Sequence, residues 1–238
     1  MKIAQIAPLI ESVPPKLYGG TERIVSYLTE ELVALGHDVT LFASADSRTS
    51  ARLVPCAEHA LRLNPAVEDA LPHHLLMLDQ VRRRAGEFDV LHFHIDMLHM
   101  PLLADLDVAS VTTLHGRQDL PDLQPFYAVF GEAPLVSISN DQRRPLPFAK
   151  WLATIYHGLP RNLLPPGHGG GGYLAFLGRI SPEKRPDRAI DIAARTGLPL
   201  KIAAKVDKAD QPYWQQVIEP MVRAHPNVEF VGEVDERQ

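Results

Sequence analysis

The first 43 residues read as a strand, a helix and a second strand, and this pattern restricts the fold more than any other feature. Lys2–Ala7 is an apolar run of strand length. Thr21–Leu35 then carries Ile24, Leu28, Leu32 and Leu35 at helical spacing, with Glu30 and Glu31 on the other side. Gly36 follows as the left-handed residue that ends a helix, and Asp38–Ala43 is the second apolar run. The alternation continues. Pro72–Ala85 is predicted as a helix, and Asp89–Ile95, Ser110–Leu114, Leu135–Ser139 and Ala153–Tyr156 as strands. Helix signals lie between them, interrupted near Pro145 and Pro147. Such alternation builds a parallel α/β sheet with helices on both faces.

A break follows, with Pro165-Pro166 and the glycines 169–172. It predicts a domain over residues 1–160, a Pro/Gly linker over 161–172 and a second domain over 173–238. In the second domain Tyr173–Gly178, Leu200–Ala204 and Val228–Val231 are expected strands. Pro186–Arg195, stopped by Gly197, and Tyr213–Ala224 are expected helices. Pro186 fits only the first helical turn, which leaves 179–185 as a loop. This is half of a doubly wound domain, with no helix to cover its last strand. The expected result is an exposed apolar patch that favours self-association.

Composition narrows the function classes. The 238 residues are 45% hydrophobic and 22% charged, enough to bury a sizeable core. Cys56 is the single cysteine, so neither a disulfide framework nor a cysteine zinc site can form within the chain. No apolar run approaches the ~18 residues of a membrane helix. The start reads as a strand rather than a leader, and a cytoplasmic location is expected. The net charge of −5 falls in the first 165 residues, with 14 basic against 19 acidic side chains; the rest holds 10 of each. Neither part has the basic balance of a nucleic-acid binder. Arg82-Arg83-Arg84 is best read as a solvated helix end, where cations offset the macrodipole.

In open α/β sheets, ligands bind beyond the carboxyl ends of the strands. The first such loop holds Gly19-Gly20-Thr21-Glu22. Either its backbone N–H groups approach an anion or a sugar hydroxyl, or the glycines make a turn and Thr21 caps the helix. No dinucleotide fingerprint is present. At the third expected strand, His92, His94 and Asp96 fall on one face with His99 nearby. No helical histidine pair or further carboxylate supports a metal there, and none is expected. Asp105 and Asp107 precede a strand, at the wrong end of the sheet for a metal-holding D-x-D. His115-Gly116 ends the next strand, placed either for a ligand hydroxyl or as a plain loop residue. Ser137-Ile138-Ser139-Asn140 lacks a nucleophile elbow. The richest loop runs from Gly178 to Pro186. Its Arg179 and Lys184 precede a helix N-terminus and suit a diphosphate; the alternative is a surface loop in which Glu183 pairs with its neighbours.

The order of these motifs resembles the retaining glycosyltransferases of the GT-B fold, family 4. The resemblance is carried by Gly19–Glu22, Asp89–His94, Thr113–Gly116, Val136–Ser139, Gly178–Pro186, Ala203–Asp207 and Phe230–Val234. It implies two Rossmann-like parallel-sheet domains, the second incomplete. It also implies transfer of a sugar from a nucleotide-diphosphate sugar, most simply a UDP-sugar, to an acceptor with retention, without a cofactor or metal. By that resemblance Arg179 and Lys184 hold the donor diphosphate and His115 contacts the donor sugar, so these are the expected catalytic residues. Gly19, Gly20, Lys205, Gly232 and Glu233 are further donor-side positions. Thr21, Glu22, His94 and Ser139 are acceptor-side ones.

The resemblance also carries a departure. The family's E-x7-E element is expected after Val234 and is not in the sequence, so the chain is expected to be truncated. The alternative reading is a non-catalytic module that binds a nucleotide, a sugar or a partner protein. A sugar-nucleotide epimerase of the same fold ranks below both, since its carboxylate pattern is not evident.

Overall fold

A computed structural model describes residues 1–164, 167 and 169–234. Of the expected linker, Pro165, Pro166 and His168 lie outside the described residues, as do residues 235–238 of the second domain. The chain divides into two compact units, Met1–Leu163 and Leu164–Gln238.

The first unit is built on β1 (Lys2–Ile6), β2 (Asp38–Ser44), β3 (Arg52–Ala57), β4 (Val90–Phe93), β5 (Ala109–Thr113), β6 (Leu135–Ser137) and β7 (Trp151–Thr154). All neighbours pair in parallel, in the order β3-β2-β1-β4-β5-β6-β7. The order reverses between β1 and β4, where Gln5 lies beside His92 in the register. Such a reversal opens a crevice at the strand carboxyl ends. β2 is buried along almost its whole length, as a strand covered on both faces must be. Phe42, Met77, Val81, Leu91 and Phe93 form the main core with α2 (Leu71–Arg84). Met100, Leu114, Tyr127 and Leu135 form a second cluster under α3 (Leu123–Val129).

Two features of this unit depart from the sequence reading. The strand β3 is not marked by the sequence pattern, because Pro55 and Arg52 interrupt its apolar run. It survives because it sits at the sheet edge, where a proline costs no ladder hydrogen bond on the open side. The helix α1 (Gly20–Ala34) buries Glu22, Val25, Ser26 and Thr29, not the Ile24–Leu28–Leu32–Leu35 stripe. Small side chains let the helix lie close to the sheet, and Leu35 is left 72% exposed. The helix end is as expected. Gly36 takes φ +85, its N–H bonds the Val33 carbonyl at 2.9 Å and the His37 N–H bonds that of Leu32 at 3.1 Å. That is a Schellman closure.

The second unit holds β8 (Leu174–Arg179), β9 (Leu200–Lys205) and β10 (Val228–Gly232), parallel in the order β10-β9-β8. The helix α5 (Pro186–Thr196) starts with Pro186 in its first turn and stops at Gly197, φ +71. Ile190, Ile202, Ile218 and Val228 fill the core on one face of the sheet. The opposite face carries Leu177, 79% exposed, and Val231, 45% exposed. The expected helix over Tyr213–Ala224 is interrupted. It is α6 (Gln211–Tyr213), a π-helical turn over Trp214–Ile218, and α7 (Glu219–Ala224). Pro220 has no N–H and its ring would meet the carbonyl four residues back in a regular helix; the wider turn removes both conflicts. Among the described residues no helix is long and apolar enough to cross a membrane.

Candidate active site

The polar side chains of the first unit gather beyond the carboxyl ends of β4, β5 and β7. His94 is buried just past β4, and its Nε2 lies 2.7 Å from Gln5 Oε1. Its Nδ1 lies 2.9 Å from Nε2 of His115, which follows β5. His115 Nδ1 in turn lies 3.3 Å from Nε2 of His157, beyond β7. The His115 and His157 rings stack with centroids 5.0 Å apart. His92 stands beside this row, with its ring centroid 4.1 Å from that of His94 and its Nε2 2.8 Å from Thr113 Oγ1.

Burial fixes the charge state of the row. Desolvation lowers His92 to about 4 and His115 to about 3. It holds His94 well below the ordinary 6.5, with its histidine neighbours adding to the effect. The imidazoles are therefore neutral at pH 7 and serve as hydrogen-bonding groups rather than cations.

The expected face of His92, His94 and Asp96 with His99 nearby forms only in part. His92 and His94 share a side, but Asp96 takes φ +52 and leaves the strand geometry. His99 bonds Thr112 Oγ1 at 2.7 Å and stacks on Phe93 at 3.8 Å. Thr112 and Thr113 are consecutive strand residues and point to opposite faces, so His99 sits across the sheet from His92. Among the described residues no three His, Cys, Asp or Glu side chains are grouped to hold a metal ion.

The glycine loop is a close approach. A Cβ on Gly19 would lie 2.6 Å from Pro15 Cβ, whereas Gly20 has open space around it. The helix starts at Gly20 with Gly19 at its N-cap, so Thr21 is not the cap. Glu22 is buried in that first turn. Ser139 is the N-cap of α4 (Asn140–Arg143), its Oγ accepting from the Gln142 N–H at 3.1 Å. Gln142 also accepts from the Ile138 N–H at 2.9 Å and donates to the carbonyls of Leu114 (3.0 Å) and Gly116 (2.7 Å). At the ends of β1 to β3, a cavity of about 250 Å³ is lined by Glu11, Lys16, Asp46 and His59.

In the second unit Arg179 is the last residue of β8 and is enclosed by carboxylates. It pairs with Glu183, with Asp210 at 3.2 Å and with Asp207 at 3.8 Å. The pairing of Glu183 with a neighbour, one of the two readings of this loop, is thus present. Lys205 ends β9 and its Nζ lies 3.0 Å from Asp207. Lys184 is exposed. Arg185 takes φ +57 and ψ +48 directly before Pro186 and forks onto Asp187 at 2.6 and 2.9 Å. A non-glycine residue in that region is strained by about 1–2 kcal/mol, and this loop tolerates it. Gly232 takes φ +86 at a register shift that ends β10, and Glu233 follows it.

His157 and Gln5 are not among the residues marked in the sequence. His157 follows a strand, as His94 and His115 do, but a lone histidine before Gly158 carries no spacing signal. Gln5 lies inside an apolar strand and is singled out only by the strand reversal beside it.

A doubly wound parallel sheet, with its polar side chains gathered beyond the strand ends where the order reverses, defines an α/β protein of the ligand-binding Rossmann type. Residues 18–152 match the model of Glycosyltransferase Family 4, more than half of the chain, and the chain belongs to that family. The fold is the GT-B glycosyltransferase fold. The chain is similar to AviGT4, a glycosyltransferase involved in avilamycin A biosynthesis, at 23% identity and a TM-score of 0.70, covering 99% of this chain and 64% of that one. It is similar to the sucrose-phosphate synthase of Thermosynechococcus elongatus at 15% identity and a TM-score of 0.70, covering 99% and 71%. It is also similar to the catalytic domain of starch synthase IV from Arabidopsis thaliana, bound to ADP and acarbose, at 13% identity and a TM-score of 0.58, covering 98% and 74%. The chain thus spans less than two thirds of the length of AviGT4. No curated protein sequence matches it.

Proposed function

We propose that this chain is the donor- and acceptor-binding part of a retaining glycosyltransferase that moves a sugar from a nucleotide-diphosphate sugar, a UDP-sugar first of all, to an acceptor. The observation that carries the reading is the family match over the unit that bears the histidine row. On this reading Arg179 and Lys184 stabilise the charge that develops on the departing nucleoside diphosphate, and no side-chain nucleophile is needed. Lys205, Gly232 and Glu233 belong to the donor side with them. Gly19 and Gly20 offer backbone N–H groups to the donor phosphates. His115 lies near the reacting sugar. Thr21, Glu22, His94 and Ser139 serve the acceptor side, Ser139 through the helix it caps. Self-association through the bare face of β8–β10, and a cytoplasmic location, are part of the same proposal.

One observation favours a second reading, a non-catalytic module. Arg179 already faces three carboxylates, so a diphosphate has to displace Glu183, Asp207 or Asp210 to reach it. Calorimetric titration with UDP and then UDP-glucose, beside Arg179→Ala, tests the donor site that the transferase reading requires. The transferase reading expects binding that the variant weakens at least tenfold. No binding by a folded sample, with GDP- and ADP-sugars also tried, leaves the module reading.

A further inference from the structure

Gln5 is fully buried in β1, and its amide is used at both ends. One end meets His94 Nε2 at 2.7 Å and the other meets His92 Nδ1 at 3.4 Å. An amide has one accepting and one donating end. The 2.7 Å contact fits a ring N–H donating to a carbonyl oxygen, and the 3.4 Å contact suits an amide N–H directed at a bare ring nitrogen.

From that assignment every proton in the row follows, because a neutral imidazole has one N–H and one lone pair. His94 carries its proton on Nε2 and accepts on Nδ1. His115 Nε2 must donate to it, so His115 accepts on Nδ1. His157 Nε2 must donate there, which leaves the Nδ1 lone pair of His157, an exposed residue, without a partner among the described residues. On the other branch, His92 accepts on Nδ1 and donates from Nε2 to Thr113 Oγ1.

We propose that Gln5 is a positioning residue that orders His94, His115 and His157 into a one-way hydrogen-bond relay. The relay presents the bare Nδ1 of His157 as an acceptor for a ligand hydroxyl. Both ring nitrogens of His115 are occupied within the row, so His157 rather than His115 offers the free nitrogen. The proposal deepens the transferase reading, on which the sugar hydroxyl as ligand rests; the proton order does not depend on it.

The test is ¹⁵N NMR of the imidazoles in the full chain at pH 7, without donor or acceptor, read for which nitrogen of each ring is protonated. The expected result is a single tautomer with the proton on Nε2 at His92, His94, His115 and His157. A proton on Nδ1 of His94 or His115 reverses the row and overturns the proposal. His157→Ala changes an exposed end and is expected to leave His94 and His115 in the same tautomer, since the order is set from Gln5; a mixture at His115 in that variant overturns it. Gln5→Leu, where it folds, is expected to turn the single tautomer of His115 into a mixture, an effect that loss of packing alone does not produce. Correct tautomers in a chain that binds no nucleotide sugar would sink the transferase reading and leave the relay; wrong tautomers in a sugar-transferring chain would sink only the relay.

Discussion

Gln142 donates a 2.7 Å hydrogen bond to the carbonyl of Gly116, and through it the start of α4 holds the loop that carries His115. The two lie beyond adjacent strands, β6 and β5, so the bond ties neighbouring strand ends in the crevice region. The same side chain also serves Ile138 and Leu114. One amide therefore fixes where the middle ring of the histidine row stands.

Gln142→Leu is expected to leave the Ile138 N–H and the Leu114 carbonyl without these partners, costing about 1–3 kcal/mol. Urea unfolding measures it. Ser139→Ala, which removes only the helix cap, is expected to cost about 1 kcal/mol. Equal and negligible losses for the two would contradict the clamp.

Gly19 and Gly20 are expected to respond in opposite ways to alanine. At Gly19 the new Cβ meets Pro15 at 2.6 Å, so the turn before α1 must shift, at about 1–3 kcal/mol. At Gly20 nothing lies within 4 Å, and Gly20→Ala is expected to be neutral or to stabilise by up to about 1 kcal/mol. Thermal unfolding of both variants decides it.

Acid is expected to destabilise the first unit before the carboxylates titrate. His92 lies at about 4 and His99 and His115 at about 3, against an ordinary 6.5. The unfolded chain therefore binds more protons than the folded one as pH falls below 6.5. Stability is full above 6.5 and declines from there toward pH 3–4. The slope is about 1.4 kcal/mol per pH unit for each proton taken up, which fully buried His99 supplies most directly. Denaturant midpoints at pH 7, 6 and 5 test the sign, and a flat profile would falsify it.

Weakening the carboxylate enclosure of Arg179 is expected to tighten nucleotide binding. Asp210→Asn removes the carboxylate 3.2 Å from the guanidinium. The transferase reading expects UDP affinity to rise about 3- to 10-fold, on the order of 1 kcal/mol, in a titration against the unaltered chain. Weaker binding would mean that Asp210 holds Arg179 in place rather than competing for it.

The strand–helix alternation and the strand-end loops were legible because their signals are local: apolar runs, Gly36, Pro186 and Gly197. The placement of His115 at a strand end followed from the same alternation, whereas His94 was expected within a strand and lies just past β4. What escaped depends on tertiary context. β3 is a strand only because an edge tolerates Pro55. α1 buries Val25, Ser26 and Thr29 because closeness to the sheet matters there more than hydrophobicity. Thr21 does not cap α1, since the helix begins one residue earlier, at Gly20. The charge state of the histidines and the reach of Arg179 toward Asp207 and Asp210 depend on burial and on a loop thirty residues away, which no spacing encodes.

The π-helical turn at Trp214–Ile218 gives one segment of the chain an unusual intolerance. Ahead of it, Tyr213 reaches Asp187 at 3.3 Å; beyond it, Met221 and Val222 of α7 pack against the core. A regular α-helix turns about 100° per residue. Removing a single residue from this turn would restore the ordinary pitch while rotating one flank by that angle relative to the other. The sequence here is thus constrained in its residue count more than in its residue types. A one-residue deletion would uncouple the anchor at α5 from the core packing, while most exchanges of Gln215 or Gln216 would pass unnoticed.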